Sequence, residues 1–354
     1  MAPRVHRFIL EVALILFAAV PVYCADTPVR TTPQRPGARL TAPPRAADLA
    51  ATLSVAEVAK KLGLKAGWIQ PGVKVALTDG TRRLQLEADS REAIVDGIRV
   101  FLGAPVLARR DDLFVNVIDY EAALVPLLKP ALIPQKPARP KVIAIDAGHG
   151  GLDQGTENRE LGYKEKTFAL DVALRLKAAL EKMGFTTVLT RATDLTIDKA
   201  MRVLIANRAS ADVFISIHFN HLPNDQKTRG TEVFTFAPQY QRSTNSWSPL
   251  EPDDTEREAS PGNLFDPWNS LLANALHRQL LRDLKTFDRG KKIAHLGVLR
   301  GLKCPGVLVE SGFLSNEEEA RKIATPAYRQ QIAGALAAGI QAYARQIEAL
   351  GAKP

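Results

Sequence analysis

The chain has 354 residues, with 47 Lys and Arg against 38 Asp and Glu, for a formal net charge of +9. At 46% hydrophobic and 24% charged residues it has the make-up of a globular protein, which excludes a disordered or fibrous chain. The basic balance suits an anionic polymer such as nucleic acid, a membrane surface or a cell wall. Aromatic residues make up only 6% and do not interleave with the basic ones, so nucleic-acid binding has little support.

At the amino terminus, Arg4, His6 and Arg7 precede an apolar run from Phe8 to Val22, interrupted by Glu11, and Cys24-Ala25 follow. The pattern predicts a secretory signal peptide over residues 1–25. The run is short for a bilayer span, so no stable transmembrane anchor is expected. The expected location is therefore outside the cytoplasm, in the periplasm, the cell wall or the medium. Pro21-Val22-Tyr23 is a poor lead-in to lipidation of Cys24. Residues 26–47, rich in Pro, Thr and Arg, read as a linker. The remaining Cys304 implies no intrachain disulfide framework, and its apolar setting beside Pro305 predicts a packed core thiol.

From residue 48 the pattern changes. Leu53, Val55, Val58, Ala59 and Leu62 have helical spacing, with Ser54 as cap and Gly63 as stop. Short strand-like runs follow at Val73–Leu77, Arg83–Ala88, Ala93–Val95, Ile98–Leu102 and Leu113–Val117, with a hairpin signal at Asp96-Gly97. Tyr120–Leu128 reads as a closing helix. This small β-rich domain, 48–129, contains no histidine and no catalytic constellation. It resembles the stalk-like modules, related in pattern to the amino-terminal domain of copper amine oxidases, that accompany some wall enzymes. The expected role is that of a spacer or docking module. Pro130, Pro134, Pro137 and Pro140 then mark a stiff linker over 130–140.

The second domain, 141–350, alternates strand and helix. Val142–Ile145, Phe185–Thr190, Asp212–Ile217, Thr231–Phe236 and Gly306–Glu310 read as strands, with Thr231–Phe236 as a candidate edge strand. Helices are expected between them, one of them over Asp198–Ser210 with Met201, Leu204 and Ile205 inward. The fold class is α/β: a layered domain with a largely parallel sheet between helices, preceded by the small β-rich domain.

Four residues fall at the ends of these elements, where sites form in open α/β sheets. His149 follows the first strand within Asp146-Ala147-Gly148-His149-Gly150-Gly151. His218 follows the strand Val213–Ile217. Glu165 opens the long helix, and Glu310 directly follows the apolar Val307-Leu308-Val309. Two imidazoles and a carboxylate make an open zinc site. Glu165 is the natural carboxylate, with Glu157 and Glu160 as alternatives and His221 as a spare ligand. A carboxylate at the end of a buried strand is costly unless used, and beside an activated water it is a general base. Gly-x-Ser-x-Gly and phosphate-binding glycine loops are both missing, which argues against a serine hydrolase or a nucleotide enzyme.

In order and spacing, IDAGHGGLDQG, KEKTFALDVALRLKAALE, VLTRATD, ANRASADVFISIHFN and VLVESGFLSNEEEA resemble the zinc-dependent N-acetylmuramoyl-L-alanine amidases, from Lys141 to about Leu350. The resemblance implies a peptidoglycan hydrolase that cuts the amide between N-acetylmuramic acid and L-alanine. It implies one Zn2+ ion held by His149, Glu165 and His218, with Glu310 as the catalytic glutamate. Asn220 and Arg289 are expected to help position substrate. Thr156 and His221 stand where a small apolar residue and an alanine are common. In some relatives a helix occludes the zinc until a partner removes it, so an activator protein joins peptidoglycan among the implied partners. Pro238–Pro261 looks inserted but lacks the amphipathic period of such a helix. A zinc peptidase acting within the stem peptide, or a non-catalytic wall-binding protein, are the alternative functions. The intact ligand set and Glu310 speak against the second.

Overall fold

The computed structural model describes residues 51–247 and 253–351; the expected signal peptide, the linker 26–47 and Cys24 lie outside them. The described residues all belong to one compact unit. Among the described residues, no helix is long and apolar enough to cross a membrane.

In the first half, β1 (Thr52–Ser54) leads into α1 (Val55–Leu62) through a capping box: the Ser54 hydroxyl accepts the Glu57 N–H, and Glu57 accepts the Ser54 N–H. Gly63, at φ 66°, ends the helix as expected. Strands β2 (Lys65–Gln70), β3 (Lys74–Thr78), β4 (Arg83–Glu87), β5 (Glu92–Val95) and β6 (Ile98–Phe101) form an antiparallel meander. Asp96 and Gly97 both take positive φ between β5 and β6, which is what a tight two-residue hairpin requires. A second, three-stranded sheet joins β1 with β7 (Leu107–Arg109) and β8 (Asp112–Asn116). The closing helix runs as α2 (Val117–Asp119), a π turn at Tyr120–Leu124, and α3 (Val125–Leu128).

The second half contributes β9 (Val142–Ala147), β10 (Glu157–Asn158), β11 (Tyr163–Lys164), α4 (Glu165–Lys182), β12 (Thr186–Leu189), α5 (Lys199–Arg208), β13 (Val213–Asn220) and β14 (Thr231–Phe236). It continues with α6 (Asp266–Leu284), β15 (Asp288–Ala294), α7 (Gly297–Arg300), β16 (Gly306–Phe313), α8 (Glu317–Ile323) and α9 (Pro326–Gly351). The main sheet has the order β12-β9-β13-β16-β14-β15-β6-β5-β4-β3-β2. β12, β9, β13 and β16 are parallel, and β14 is antiparallel to β16. The layered α/β architecture is thus as expected.

Three features were not legible beforehand. First, the sheet does not stop between the two halves: Lys291 of β15 pairs with Val100 of β6, and one buried core runs from Val55 to Ile347. Second, β14 lies inside the sheet rather than at its edge, because the charged stretch Asp288–Ala294 is itself a strand and covers it. Third, α5 turns Arg202, Val203 and Ala206 inward and leaves Met201 and Leu204 exposed. Its inner face meets the buried Asp146, so an arginine is selected there over a leucine.

The direction of β14 also locates the inserted segment. Glu232, near its start, is in register with Glu310, and the strand runs away from that end. Ala237 follows about 17 Å off, at roughly 3.3 Å per residue. Pro238–Pro261 therefore leaves from the opposite end of the sheet. In its described part, the Thr244 hydroxyl accepts the Ile293 N–H, and Ser243 Oγ accepts the His295 N–H. The Thr244 carbonyl accepts from Arg91 of the first half. This described part is stitched between β15 and the small domain, at the end of β14 away from His218 and Glu310.

Candidate metal centre

Asp146, buried at the end of β9, starts the site. Its Oδ1 accepts from Thr190 Oγ1 (2.6 Å) and Arg202 Nη1 (2.7 Å), and its Oδ2 from Ser216 Oγ (2.6 Å). Arg202 also donates to the carbonyls of Ala147 (2.6 Å) and His149 (2.7 Å). Arg191 donates to the carbonyls of Ala147 (2.9 Å), Gly148 (2.7 Å) and Lys166 (2.9 Å). Two arginines thus hold three successive carbonyls, and His149 sits at φ 59°, a left-handed conformation that costs energy in a non-glycine residue. The flanking glycines are needed for space. A Cβ at Gly148 would lie 2.6 Å from His218 Nε2, and one at Gly155 would lie 2.6 Å from Glu165 Oε2.

On this frame His149, Glu165 and His218 converge, with one donor atom from each within 4.8 Å of the others. His149 Nε2 is 3.1 Å from Glu165 Oε2, and His218 Nδ1 is 2.8 Å from Glu165 Oε1. Tetrahedral ligands at about 2.0–2.1 Å from zinc stand roughly 3.3 Å apart, so nitrogen and oxygen donors at these spacings fit that ion. The second nitrogen of His149, Nδ1, lies 2.8 Å from Asp153 Oδ2, the carboxylate–histidine arrangement that orients a metal-binding imidazole. Glu165 is almost fully buried and also accepts the N–H groups of Thr156 (2.8 Å) and Phe219 (3.0 Å). Burial opposes its charge, but the hydrogen bonds from His149 and His218 outweigh this and hold it well below the usual carboxylate range. Thr156, noted as a departure, is therefore a direct support of the carboxylate.

Glu310 is the neighbour of His218 across β13 and β16. Its Oε2 is enclosed and has no hydrogen-bond partner among the described residues. Arg300, ten residues before it, pairs with Glu256. Burial, then the Glu165 and Glu232 carboxylates, push Glu310 well above the ordinary carboxylate range, and Lys292 offsets part of this.

A further buried carboxylate, Glu232, adjoins the site. It is buried on β14 beside Glu310, and its Oε1 accepts from Arg289 Nε and Lys292 Nζ, both at 2.7 Å. Its Oε2 accepts from Asn220 Nδ2 at 3.1 Å. Asn220 and Arg289 thus meet on one carboxylate beside the site, and Arg289 lies over the Phe313 ring. A glutamate inside the otherwise apolar Thr231–Phe236 was the available signal, the same anomaly that marked Glu310. His221, Glu157 and Glu160 lie outside the donor group. His277 is buried against Asp288 Oδ1 (2.7 Å), and Cys304 is a core thiol that burial pushes up to about 12.

Replacing Arg202 with alanine removes a buried ion pair and the donor to two loop carbonyls. A loss of about 3–5 kcal/mol is expected in denaturant unfolding. Zinc affinity should fall about 10–100-fold in a metal titration of the folded variant. Unchanged values in both would remove Arg202 from the frame of the site.

The comparisons with known proteins agree with this geometry. Residues 143–342, more than half of the chain, match the N-acetylmuramoyl-L-alanine amidase family, and residues 37–122 match the copper amine oxidase N-terminal domain. AmiA of Escherichia coli is 33% identical over 221 residues, covering 57% of this chain and 76% of AmiA. A probable AmiB amidase of Haemophilus influenzae is 34% identical, covering 58% of this chain and 52% of that protein. An uncharacterized cell wall amidase of Bacillus anthracis is 33% identical, and the match spans 35% of its length. The alignment thus takes in about a third to a half of these last two relatives. Among solved structures, the amidase AmiC2 of Nostoc punctiforme is 30% identical with a TM-score of 0.48, covering 59% of this chain and 99% of that one. With the family match spread across every strand and loop that builds the His149–Glu165–His218 centre, this chain belongs to the N-acetylmuramoyl-L-alanine amidase family.

Proposed function

We propose that this protein is an exported, zinc-dependent peptidoglycan amidase that hydrolyses the amide between N-acetylmuramic acid and the L-alanine of the stem peptide. One observation carries the reading: a His-Glu-His donor group lies at one end of the sheet beside Glu310, the cross-strand neighbour of His218, whose enclosed Oε2 has no hydrogen-bond partner among the described residues. His149, Glu165 and His218 would hold the ion, which would supply a Lewis acid for the amide carbonyl and for the attacking water. Glu310 takes the proton from that water as its oxygen adds to the lactyl carbonyl carbon. The C–N bond then breaks, and Glu310 returns a proton to the departing alanine amine, leaving a muramic carboxyl group and a free peptide amino end. Asp153 fixes the orientation of His149. Asn220 and Arg289, gathered by Glu232, line the approach on the side of Glu310 and position the substrate. The positive net charge favours retention on an anionic wall.

Purified sacculi treated with the chain lacking residues 1–25 test this by mass spectrometry. The expected products are intact stem peptides with a free L-alanine amino end, lost with a chelator and restored by zinc. Cuts between stem residues would make the enzyme a peptidase instead, and binding without products would make it a wall-binding protein.

A further inference from the structure

We propose that the outer face of the small domain is an extension of the substrate site and binds the glycan strand that carries the scissile amide. The inference rests on the amidase reading and on the continuity of one sheet face. Side chains alternate along each strand, so the face that holds His218, Glu310 and Glu232 can be followed across the sheet. On β15 it continues as Lys292, which bonds to Glu232 and stands over the Phe101 ring. A Cβ at Gly290 would touch both Phe101 and Arg99, which puts those β6 side chains on the same face. Cross-strand pairing then carries it to Ile94 and Glu92 on β5, opposite Arg99 and Phe101, and to Gln85 on β4, opposite Ile94. The other face of these strands, with Val75, Leu77, Leu84, Leu86 and Val95, is fully buried in the core.

The outer face is open. The side chains of Lys74, Glu92 and Arg99 keep more than a third of their surface exposed. Lys74, Gln85, Glu87, Glu92 and Ile94 line a groove of about 250 Å³. From Glu310 on β16 to Gln85 on β4 is five strands, roughly 24 Å at 4.8 Å per strand. The lining balances Lys74 against Glu87 and Arg99 against Glu92, with an amide and an aliphatic side chain between them. Such a charge-balanced, hydrogen-bonding surface suits the hydroxyl and acetamido groups of a saccharide chain better than a run of peptide carboxylates. The twist of about 20–25° per strand turns the face progressively, which a single flexible strand can follow and a flat layer cannot.

The test compares Lys74→Ala/Glu92→Ala with the unaltered chain on two substrates: long glycan strands bearing stem peptides, and a single disaccharide with its stem. The expected result is a roughly five- to thirty-fold lower kcat/KM on long strands, through KM, from loss of two polar contacts, with the disaccharide turned over as before. Equal kcat/KM on long strands for both proteins overturns the inference, as does an equal fall on both substrates, which would be a structural effect. Long stem peptides free of glycan that compete with the strands for the unaltered chain but not for the variant would assign the groove to peptide and overturn it too. Failure of the unaltered chain to cut either substrate would instead sink the amidase reading.

Discussion

Glu310→Gln keeps its metal and its fold and loses about 10²–10⁴-fold in kcat, the usual range for a positioned general base. The substitution preserves size and removes only the ability to take a proton. The fold should tolerate it, because the carboxylate is a burden to the native state: burial and two neighbouring carboxylates raise its proton affinity above the unfolded value. The sign follows from linkage. A raised carboxylate pKa means that the native protein binds the proton more tightly than the unfolded chain, so ionising Glu310 subtracts from stability as pH rises above its unfolded value. In metal-free protein at neutral pH, Glu310→Gln should therefore melt no lower than the parent. The acid limb of the parent's kcat/KM profile reports loss of the Glu310 base and should be missing from the residual activity of the variant. Zinc content, melting temperature and kcat separate the outcomes. Near-parental kcat with full zinc would exclude Glu310 as the base.

Deleting residues 1–129 should leave a chain that aggregates on expression, not a free catalytic domain. A spacer reading predicts the opposite, intact hydrolysis of soluble fragments. The structure argues for aggregation on three counts. β6 covers the edge of β15, and a bared edge strand pairs with other chains. Leu124, Leu127 and Leu128 are buried in the same core as Leu276 and Leu280 of α6. Each such side chain contributes about 1.5–3 kcal/mol when fully buried, so uncovering a few removes much of a total that is only about 5–15 kcal/mol. Finally, Lys291 is buried between Asp119 of the first half and Asp266 of the second, and burial lowers it to about 8. Soluble, monomeric and cooperatively melting protein after the deletion would restore the spacer reading. If the fragment folds but loses activity only on long strands, the outer face acts through binding alone.

These two experiments bracket what could be read in advance. His149, Glu165, His218 and Glu310 were visible because each is a polar residue at the boundary of an apolar element, where burial has to be repaid by a ligand or a reaction. Glu232 has the same character, but it comes before the apolar residues of its strand instead of after them, and local pattern absorbs it as one polar position of an edge strand. The inward face of α5 departs from the spacing of Met201, Leu204 and Ile205 for a related reason. Helical spacing marks apolar residues as inward, and the inward face of α5 answers a buried aspartate that comes from a strand 56 residues earlier.

The sequence by itself determined the local structure and the residue types that make up the candidate metal group. Capping at Ser54 and Gly63, the Asp96-Gly97 turn and the apolar strands depend on neighbours a few residues away, and donor chemistry depends only on residue type. Tertiary structure decided what depends on distant partners. The burial of β14 comes from pairing with a charged strand, the point where the chain leaves it at Pro238 from the direction in which β14 runs, and the joining of two apparent domains from the contact between Lys291 and Val100. Strand pairing is a relation between segments far apart in the chain, and no periodicity within either segment records it.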